Sequence, residues 1–178
     1  MLIGLVACAC HRKPTSSPTQ TNLIQRGKYL VTVIGCGDCH SPKIMTPAGP
    51  IEDTTRLLSG HPAGEPFPPF DTQAVMKGVY GVDASDFTAY AGPWGISFAA
   101  NLTPDSATGI GTWTDSLFIR VIRSGKYYGT QNGRPLLPPM PWQDFKNLTD
   151  EDLKAIFAYL KSLPPVHNPV PAPIPPGH

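Results

Sequence analysis

Charge and long apolar runs are both scarce in this sequence. Only 15% of its 178 residues are charged, against the usual fraction of about a quarter, and the formal net charge is +1. A balance so close to neutral gives no case for nucleic acid or an acidic membrane surface as a partner. The apolar stretch at residues 1–10 is far too short to span a bilayer.

Cysteine is also rare, and the four that occur fall into two groups. Cys8 and Cys10 lie in the apolar leader, whereas Cys36 and Cys39 are three positions apart and are followed directly by His40. A structural zinc site needs four ligands, usually from two Cys/His pairs, and no second pair follows. A thioredoxin-like redox pair would precede a helix in a βαβ pattern, which this sequence does not show.

The segment Cys36-Gly37-Asp38-Cys39-His40 matches the attachment pattern of a c-type haem. Each thiol adds across one of the two vinyl groups of the macrocycle, and one helical turn brings two residues three positions apart to the same face. His40 then lies beside the iron, where a ring nitrogen serves as the proximal ligand. The motif therefore predicts one covalent haem c.

Proline and glycine are abundant, and they divide the rest of the chain. The 22 prolines and 17 glycines predict long ordered loops around few helices, which suits a small protein wrapped on a large rigid cofactor. We assign residues 22–165 to one haem domain and residues 166–178 to a Pro-rich tail. Within the domain, residues 41–100 are predicted to be a loop-rich insertion that covers the haem, with a short strand or turn at 75–79.

Three stretches have apolar residues at helical spacing and predict helices: residues 22–34, 114–124 and 149–163. Thr21 or Asn22 is expected to cap the first helix, and Thr149 the last, where three acidic residues occupy the first turn. Gly27 lies in the apolar stripe of the first helix, where it costs helix propensity. A close crossing with another helix would explain it.

The N-terminal segment Leu5-Val6-Ala7-Cys8 resembles a bacterial lipobox, in which the cysteine is lipidated and becomes the new N-terminus. The apolar run is short and no basic residue precedes it, which a start codon placed too late would explain; a misread signal or an anchor remnant is the alternative. We predict a lipoprotein-type signal or anchor at residues 1–8 and a flexible tether at 9–21. The protein is expected to be exported to the periplasmic face of the bacterial inner membrane.

The sixth iron ligand must come from a methionine or a histidine elsewhere in the chain: Met45, Met76, Met140, His61, His167 or His178. Met45 is too close to His40 to cross the ring, and the last two histidines lie in the tail. Met140 stands between rigid prolines, which fix the backbone. We predict Met140 as the ligand, with Met76 and His61 as weaker candidates. A bound thioether raises the potential and fills the last coordination position, which favours electron transfer over catalysis.

Several stretches together resemble a known family: Arg26 to Leu30, Cys36 to His40, Asn101 to Asp105, Gly109 to Trp113, Met140 to Trp142 and Leu148 to Pro165. In this order they are similar to class I bacterial cytochromes c, and more closely to the single-haem modules found with membrane-bound dehydrogenases and in multi-haem cytochrome subunits. The resemblance implies an all-α cytochrome c fold with long Pro/Gly-rich loops around one haem. Its first and last helices would cross near Gly27 and Phe157 or Tyr159.

The resemblance also implies roles for individual residues. Cys36 and Cys39 would carry the thioethers, and His40 and Met140 would be axial ligands. Three further residues match positions that contact the haem edge or its propionates: Asn101, Trp113 and Arg123. Turn chemistry, core packing and a solvated helix end, respectively, are the alternative explanations of these three. The second haem motif of the multi-haem relatives does not occur, so one haem is expected.

Three functions remain open at this point. The first is a one-electron carrier between a dehydrogenase or quinol-oxidising complex and a terminal oxidase, which would not itself be an enzyme. The second is a fixed cytochrome subunit of a larger membrane respiratory complex. The third is a haem enzyme of the peroxidase or thiosulfate-oxidising type, which requires a displaceable sixth ligand.

Overall fold

The computed structural model describes residues 19–79 and 81–176. Its helices are α1 (Gln20–Val33), α2 (Cys36–His40), α3 (Thr72–Met76), α4 (Asp115–Ser124), α5 (Trp142–Phe145) and α6 (Asp150–Ser162), and a 3-10 turn covers Tyr127–Gly129. Its strands are β1 (Lys43–Thr46), β2 (Gly49–Glu52), β3 (Val82–Asp83), β4 (Ala89–Gly92) and β5 (Gly95–Phe98). The predicted signal at 1–8, the candidate lipidation residue Cys8, most of the 9–21 tether and His178 lie outside the described residues.

The prediction of an all-α fold is wrong, because the 41–100 segment forms two antiparallel sheets. Strands β1 and β2 make a hairpin with Ile44 opposite Ile51, and the second sheet has the order β3-β4-β5. The prolines lie where strands tolerate them: Pro50 is on one strand of a two-stranded hairpin, and Pro93 is in the β4–β5 turn. The fold is therefore mixed, with helices and sheets around one core.

Residues 75–79 are predicted to form a short strand or turn, and the turn is present at Lys77 and Gly78. Val75 and Met76 instead end helix α3. The side chain of Asp71 caps this helix by accepting hydrogen bonds from the backbone N–H groups of Gln73 and Ala74, at 2.9 and 3.1 Å. Capping by a short polar side chain selects a helical turn over an extended strand.

The three helices predicted from apolar spacing are confirmed. Thr149 caps α6 by accepting from the Asp152 N–H, and Thr114 caps α4 by accepting from the Leu117 N–H. Gly125 ends α4 in the left-handed conformation. Helix α1 begins earlier than predicted, because Thr19 is its cap instead of Thr21 or Asn22.

The crossing of α1 and α6 lies at Gly27, as expected. A methyl group on Gly27 would lie 1.9 Å from the Ala155 carbonyl oxygen and 2.8 Å from Tyr159 Cβ, so only glycine allows this approach. An ion pair between Arg26 and Asp152 (2.9 Å) lies beside the crossing. The two helices that lie at opposite ends of the domain sequence thus form one tightly packed unit.

The core consists of apolar residues from α1, α4, α6 and two connecting loops: Leu30, Val31, Leu58, Ile110, Phe118, Ile122, Leu153, Ala155, Ile156, Phe157 and Leu160. Several of these side chains also line a cavity that faces α2. The C-terminal tail returns over the sheet, where Ile174 and Ile96 exchange two backbone hydrogen bonds of 2.8 and 2.9 Å. No helix in residues 19–79 or 81–176 is long and apolar enough to cross a membrane.

Candidate functional site

The predicted haem-attachment segment forms one short helix against the main cavity. Gly35 takes a left-handed conformation (φ 72°) just before it, so that α2 turns away from the end of α1. Cys36, Cys39 and His40 all line the same cavity of about 340 Å³. The helical turn at this segment is as predicted, and it brings two thiols and an imidazole to one wall.

The His40 ring is oriented by the main chain. Its Nδ1 lies 2.8 Å from the carbonyl oxygen of Ala100, so Nδ1 carries the proton and donates it there, while Nε2 is left as the metal-binding atom. Burial lowers the pKa of His40 below its ordinary value; the bond to Ala100 opposes this effect and nearby Lys43 adds to it. The imidazole is therefore held neutral, the form that ligates iron.

The two thiols have different surroundings. Burial raises the pKa of the Cys36 thiol to about 12, so that it stays protonated. The sulfur of Cys39 lies 3.1 Å from the phenol oxygen of Tyr90, which also hydrogen-bonds to the Phe87 carbonyl. Tyr90 belongs to β4, and burial raises its pKa. The 41–100 segment thus contacts the attachment site through a side chain.

Lys43 stabilises the C-terminal end of α2. Its ammonium group donates to the Gly37 and Asp38 carbonyls at 2.9 and 3.0 Å and also to that of Ser41. The Gly37 carbonyl also accepts from the Ser41 N–H at 3.1 Å, and at this helix end the helix dipole favours a cation. The side chain at the start of β1 therefore fixes the helix that bears the two cysteines.

Met140 lines the same cavity as the two cysteines and His40. Its loop is joined to β5, because the Ser97 hydroxyl donates to the Pro138 carbonyl at 2.6 Å. A backbone bond of 2.9 Å from the Trp142 N–H to the Met140 carbonyl fixes the following turn. A thioether is thereby brought to the cavity that holds the imidazole.

The weaker ligand candidates are placed elsewhere. Met45 is 65% exposed on β1, and Met76 lies on α3, outside the residues that line the cavity. His61 is buried, and its Nδ1 lies 2.8 Å from the Thr88 hydroxyl oxygen. His167 is near Asp105 at the surface, 3.6 Å away. In the described chain, Met140 is the candidate that shares a cavity with His40.

The three residues matched to the haem edge have different positions. Trp113 lines the cavity and packs against Tyr127, with ring centroids 6.0 Å apart. Asn101 is buried outside the lining of this cavity, and its side-chain amide hydrogen-bonds with Thr103, Thr108 and Val166. Arg123 instead pairs with Asp150 at 2.6 Å, outside the cavity lining. Their contacts with a haem remain predictions.

A second cavity of about 410 Å³ adjoins the first, between residues 107–110 and the tail at 169–173. Trp113, Tyr127 and Arg134 line both cavities, and the Arg134 guanidinium lies over the Tyr127 ring at 4.6 Å. A guanidinium at this junction is complementary in charge and geometry to the propionate carboxylates of a haem. Sequence reasoning misses Arg134, because Gly133-Arg134-Pro135 carries no motif.

The cavity fits a haem c by the chemistry of its walls. One wall offers two thiols and a neutral imidazole, and the loop at 136–141 offers a thioether. Most of the remaining lining is apolar: Ile34, Leu102, Ile110, Phe118, Val121, Ile122, Leu153, Ile156 and Leu160. In residues 19–79 and 81–176, no three His, Cys, Asp or Glu side chains cluster as metal ligands. A haem c, which is an apolar macrocycle bound covalently along one side, fits a cavity with these walls.

Known proteins are similar to this chain in sequence. One component of the nicotinate dehydrogenase of Pseudomonas putida is 41% identical over 80 residues, which are 45% of this chain and 6% of that protein. The gluconate 2-dehydrogenase cytochrome c subunit of Pantoea cypripedii is 29% identical over 137 residues, 77% of this chain and 22% of that protein. The fructose dehydrogenase cytochrome subunit of Gluconobacter japonicus is 27% identical over 172 residues, 96% of this chain and 28% of that protein.

The chain spans about a quarter of the length of the two cytochrome subunits, so the match concerns a domain of each. The family model for cytochrome c matches residues 24–164, which include the two cysteines, His40, Met140 and all three long helices apart from the start of α1. The chain therefore belongs to the cytochrome c family, whose cofactor is covalently bound haem c.

Proposed function

We propose that the protein is a one-electron carrier in which His40 and Met140 are the two axial ligands of the haem iron. The observation that carries the proposal is the common cavity, which brings a free imidazole Nε2 and a thioether to the same space as both attachment cysteines. The haem supplies a reversible couple between Fe(III) and Fe(II).

The protein's own residues set the conditions for that couple. The apolar lining excludes water and disfavours the more highly charged oxidised state. A methionine ligand also stabilises the reduced iron relative to a second imidazole. Because His40 and Met140 would both hold the iron, no position would be open for a substrate, which favours electron transfer over a peroxidase or thiosulfate-oxidising activity.

We further propose a dehydrogenase as the electron donor. The named relatives are components of nicotinate, gluconate and fructose dehydrogenases, and this supports a role as the cytochrome of such a complex, either fixed or transiently bound. A terminal oxidase is the proposed acceptor. Co-purification in mild detergent separates the two forms, because a fixed subunit stays with its dehydrogenase and a mobile carrier does not.

The proposed location is the periplasmic face of the inner membrane, with a lipid on Cys8. The lipobox-like sequence before Cys8 supports it, and so does the haem motif, since bacteria attach c-type haem outside the cytoplasm. The intact mass of the mature protein tests the lipid on Cys8 and the haem attachment that support this location, because one haem and one lipid each add a defined increment.

Met140→His tests the ligand set on the haem-loaded protein. The oxidised wild type should show a red charge-transfer band from the methionine to the iron, and the variant should lose it. Its potential should fall by a sizeable part of the range of about 0.8 V that axial ligands span. Met45→His, at an exposed position, is the matched control and should keep the band. A wild type without the band, which binds cyanide or CO rapidly, would favour the haem enzyme.

A further inference from the structure

The carbonyl that orients His40 is in contact with a short turn of the 41–100 segment. The Gly60 N–H donates to the His40 carbonyl at 2.7 Å, and the His61 N–H donates to the Ala99 carbonyl at 2.9 Å. The Ala100 carbonyl accepts from the His40 ring. The turn at Ser59–His61 therefore lies between the main chain of His40 and the segment after β5 that carries its ring acceptor.

This contact leaves no room for a side chain on Gly60. Gly60 has a φ of 80°, and a methyl group there would lie 2.5 Å from the Ala99 carbonyl oxygen and 2.6 Å from the Ala100 carbonyl carbon. Backbone packs directly on backbone, with no side chain between to absorb a shift. A displacement of the Ser59–His61 turn is thus transmitted to Ala100.

The turn is held by one side chain from the C-terminal tail. The amide nitrogen of Asn168 donates to the carbonyls of Ser59 and His61, at 2.7 and 2.9 Å, so that it bridges the two residues flanking Gly60. Its amide oxygen accepts from the Ala63 N–H at 2.9 Å. The Asn168 N–H donates to the Thr108 hydroxyl at 3.0 Å. Both polar atoms of the buried Asn168 side chain thus form hydrogen bonds with residues 59–63.

We propose that Asn168 is a positioning residue, which fixes the Ser59–His61 turn against Ala99–Ala100 and thereby sets the orientation of the His40 ring on the iron. The strength of the bond from His40 Nδ1–H to its carbonyl tunes the basicity of the ligand nitrogen. The inference rests on the proposed function, because it concerns His40 as an iron ligand. It gives the tail a role beyond covering the sheet.

Asn168→Asp in the haem-loaded protein separates this role from general stabilisation. The carboxylate keeps the acceptor for Ala63 but removes both donations to the turn and faces two carbonyls. We expect exchange of the Gly60 and His61 amide protons to accelerate about tenfold, the equivalent of one hydrogen bond. The haem methyl NMR shifts, which report the orientation of the imidazole plane, should change, and the potential should rise because a weaker bond makes His40 a poorer donor.

Val75→Ala is the control, since Val75 is fully buried on α3 and does not line the cavity. It should lower stability without changing the methyl shifts or the potential. If Asn168→Asp behaves in the same way, Asn168 is only structural and the proposal is wrong.

Should the aspartate variant fail to fold, Asn168→Ser is the second variant, because its hydroxyl keeps one donor. An intermediate change of the haem methyl shifts supports the proposal, and unchanged shifts overturn it. A wild type that carries no covalent haem contradicts the proposed function instead.

Discussion

At the scale of single residues, Asp53 shows how a buried charge fixes the end of the β1–β2 hairpin. Its carboxylate accepts from the Thr55 N–H and hydroxyl, at 3.0 and 2.6 Å, and from Arg56 Nε at 2.8 Å. The Asp53 N–H donates to the Pro42 carbonyl at 2.8 Å, two residues after His40. The Thr55 hydroxyl, then Arg56, lower the pKa of Asp53 to about 2.

Asp53→Asn is therefore expected to lower the free energy of unfolding at pH 7 by about 1 kcal/mol. A depressed pKa gives stability that is present above the unfolded value of about 3.9 and is lost as the pH falls toward the folded value. The difference between variant and wild type should thus shrink between about pH 4 and pH 2. Urea unfolding of the haem-loaded protein at pH 7, 4 and 2 measures it.

The exposed residue Asp83 supplies the control for this comparison, because Asp83→Asn should stay near wild-type stability at pH 7. An Asp53→Asn deficit that is as large at pH 2 as at pH 7 would contradict the role of the ionised carboxylate and would point to packing at the turn instead.

The haem-attachment residues were the simplest to predict, because their chemistry is local. Cys36, Cys39 and His40 stand within one helical turn, so their joint function follows from spacing alone. The contacts of Tyr90 with Cys39 and of Ala100 with His40 span 51 and 60 residues. A backbone carbonyl acceptor carries no signature at all, because every residue type offers one.

At the scale of elements, the three long helices were predictable, whereas the short helices α3 and α5 and the strands were not. Helices α1, α4 and α6 each have ten or more residues, enough for apolar periodicity and a cap to be seen. The five strands have two to four residues each, and the hairpin turns contain Pro47 and Pro93. The pattern of prolines and glycines in residues 41–100 correctly predicts that no long helix or strand forms there. It does not distinguish a loop from a short hairpin.

Helix α1 offers a test of element packing at Gly27. Gly27→Ala raises helix propensity by about 1 kcal/mol, but its methyl group would meet the Ala155 carbonyl in α6 at 1.9 Å. Because the contact is with backbone, the helices must separate, and we expect a net loss of about 1–3 kcal/mol in urea unfolding. Lys28→Ala, at the exposed neighbouring position, should change stability little. A Gly27→Ala variant as stable as the wild type would show that α1 and α6 can separate at little cost.

At the scale of the whole molecule, the cavity lies where a small protein would otherwise have the centre of its core. Helices α4 and α6 close one side, and the Met140 loop closes another. The sheet and the tail, joined by the Ile96–Ile174 bridge, cover the region next to His40. The insertion and the tail thus act together as walls, although the sequence predicts only an irregular segment and an extended end.

This architecture predicts that the fold depends on its cofactor. Without the haem, the mainly apolar lining of this cavity is exposed to water, and the burial that is lost is a large part of the roughly 5–15 kcal/mol that stabilises a typical domain. The double variant Cys36→Ser/Cys39→Ser, purified without haem, should retain part of its far-UV CD signal but lose near-UV CD and cooperative urea unfolding. Cys36→Ser alone keeps one thioether and should fall between the two. A haem-free double variant that unfolds as cooperatively as the wild type would mean that side chains alone can fill this space.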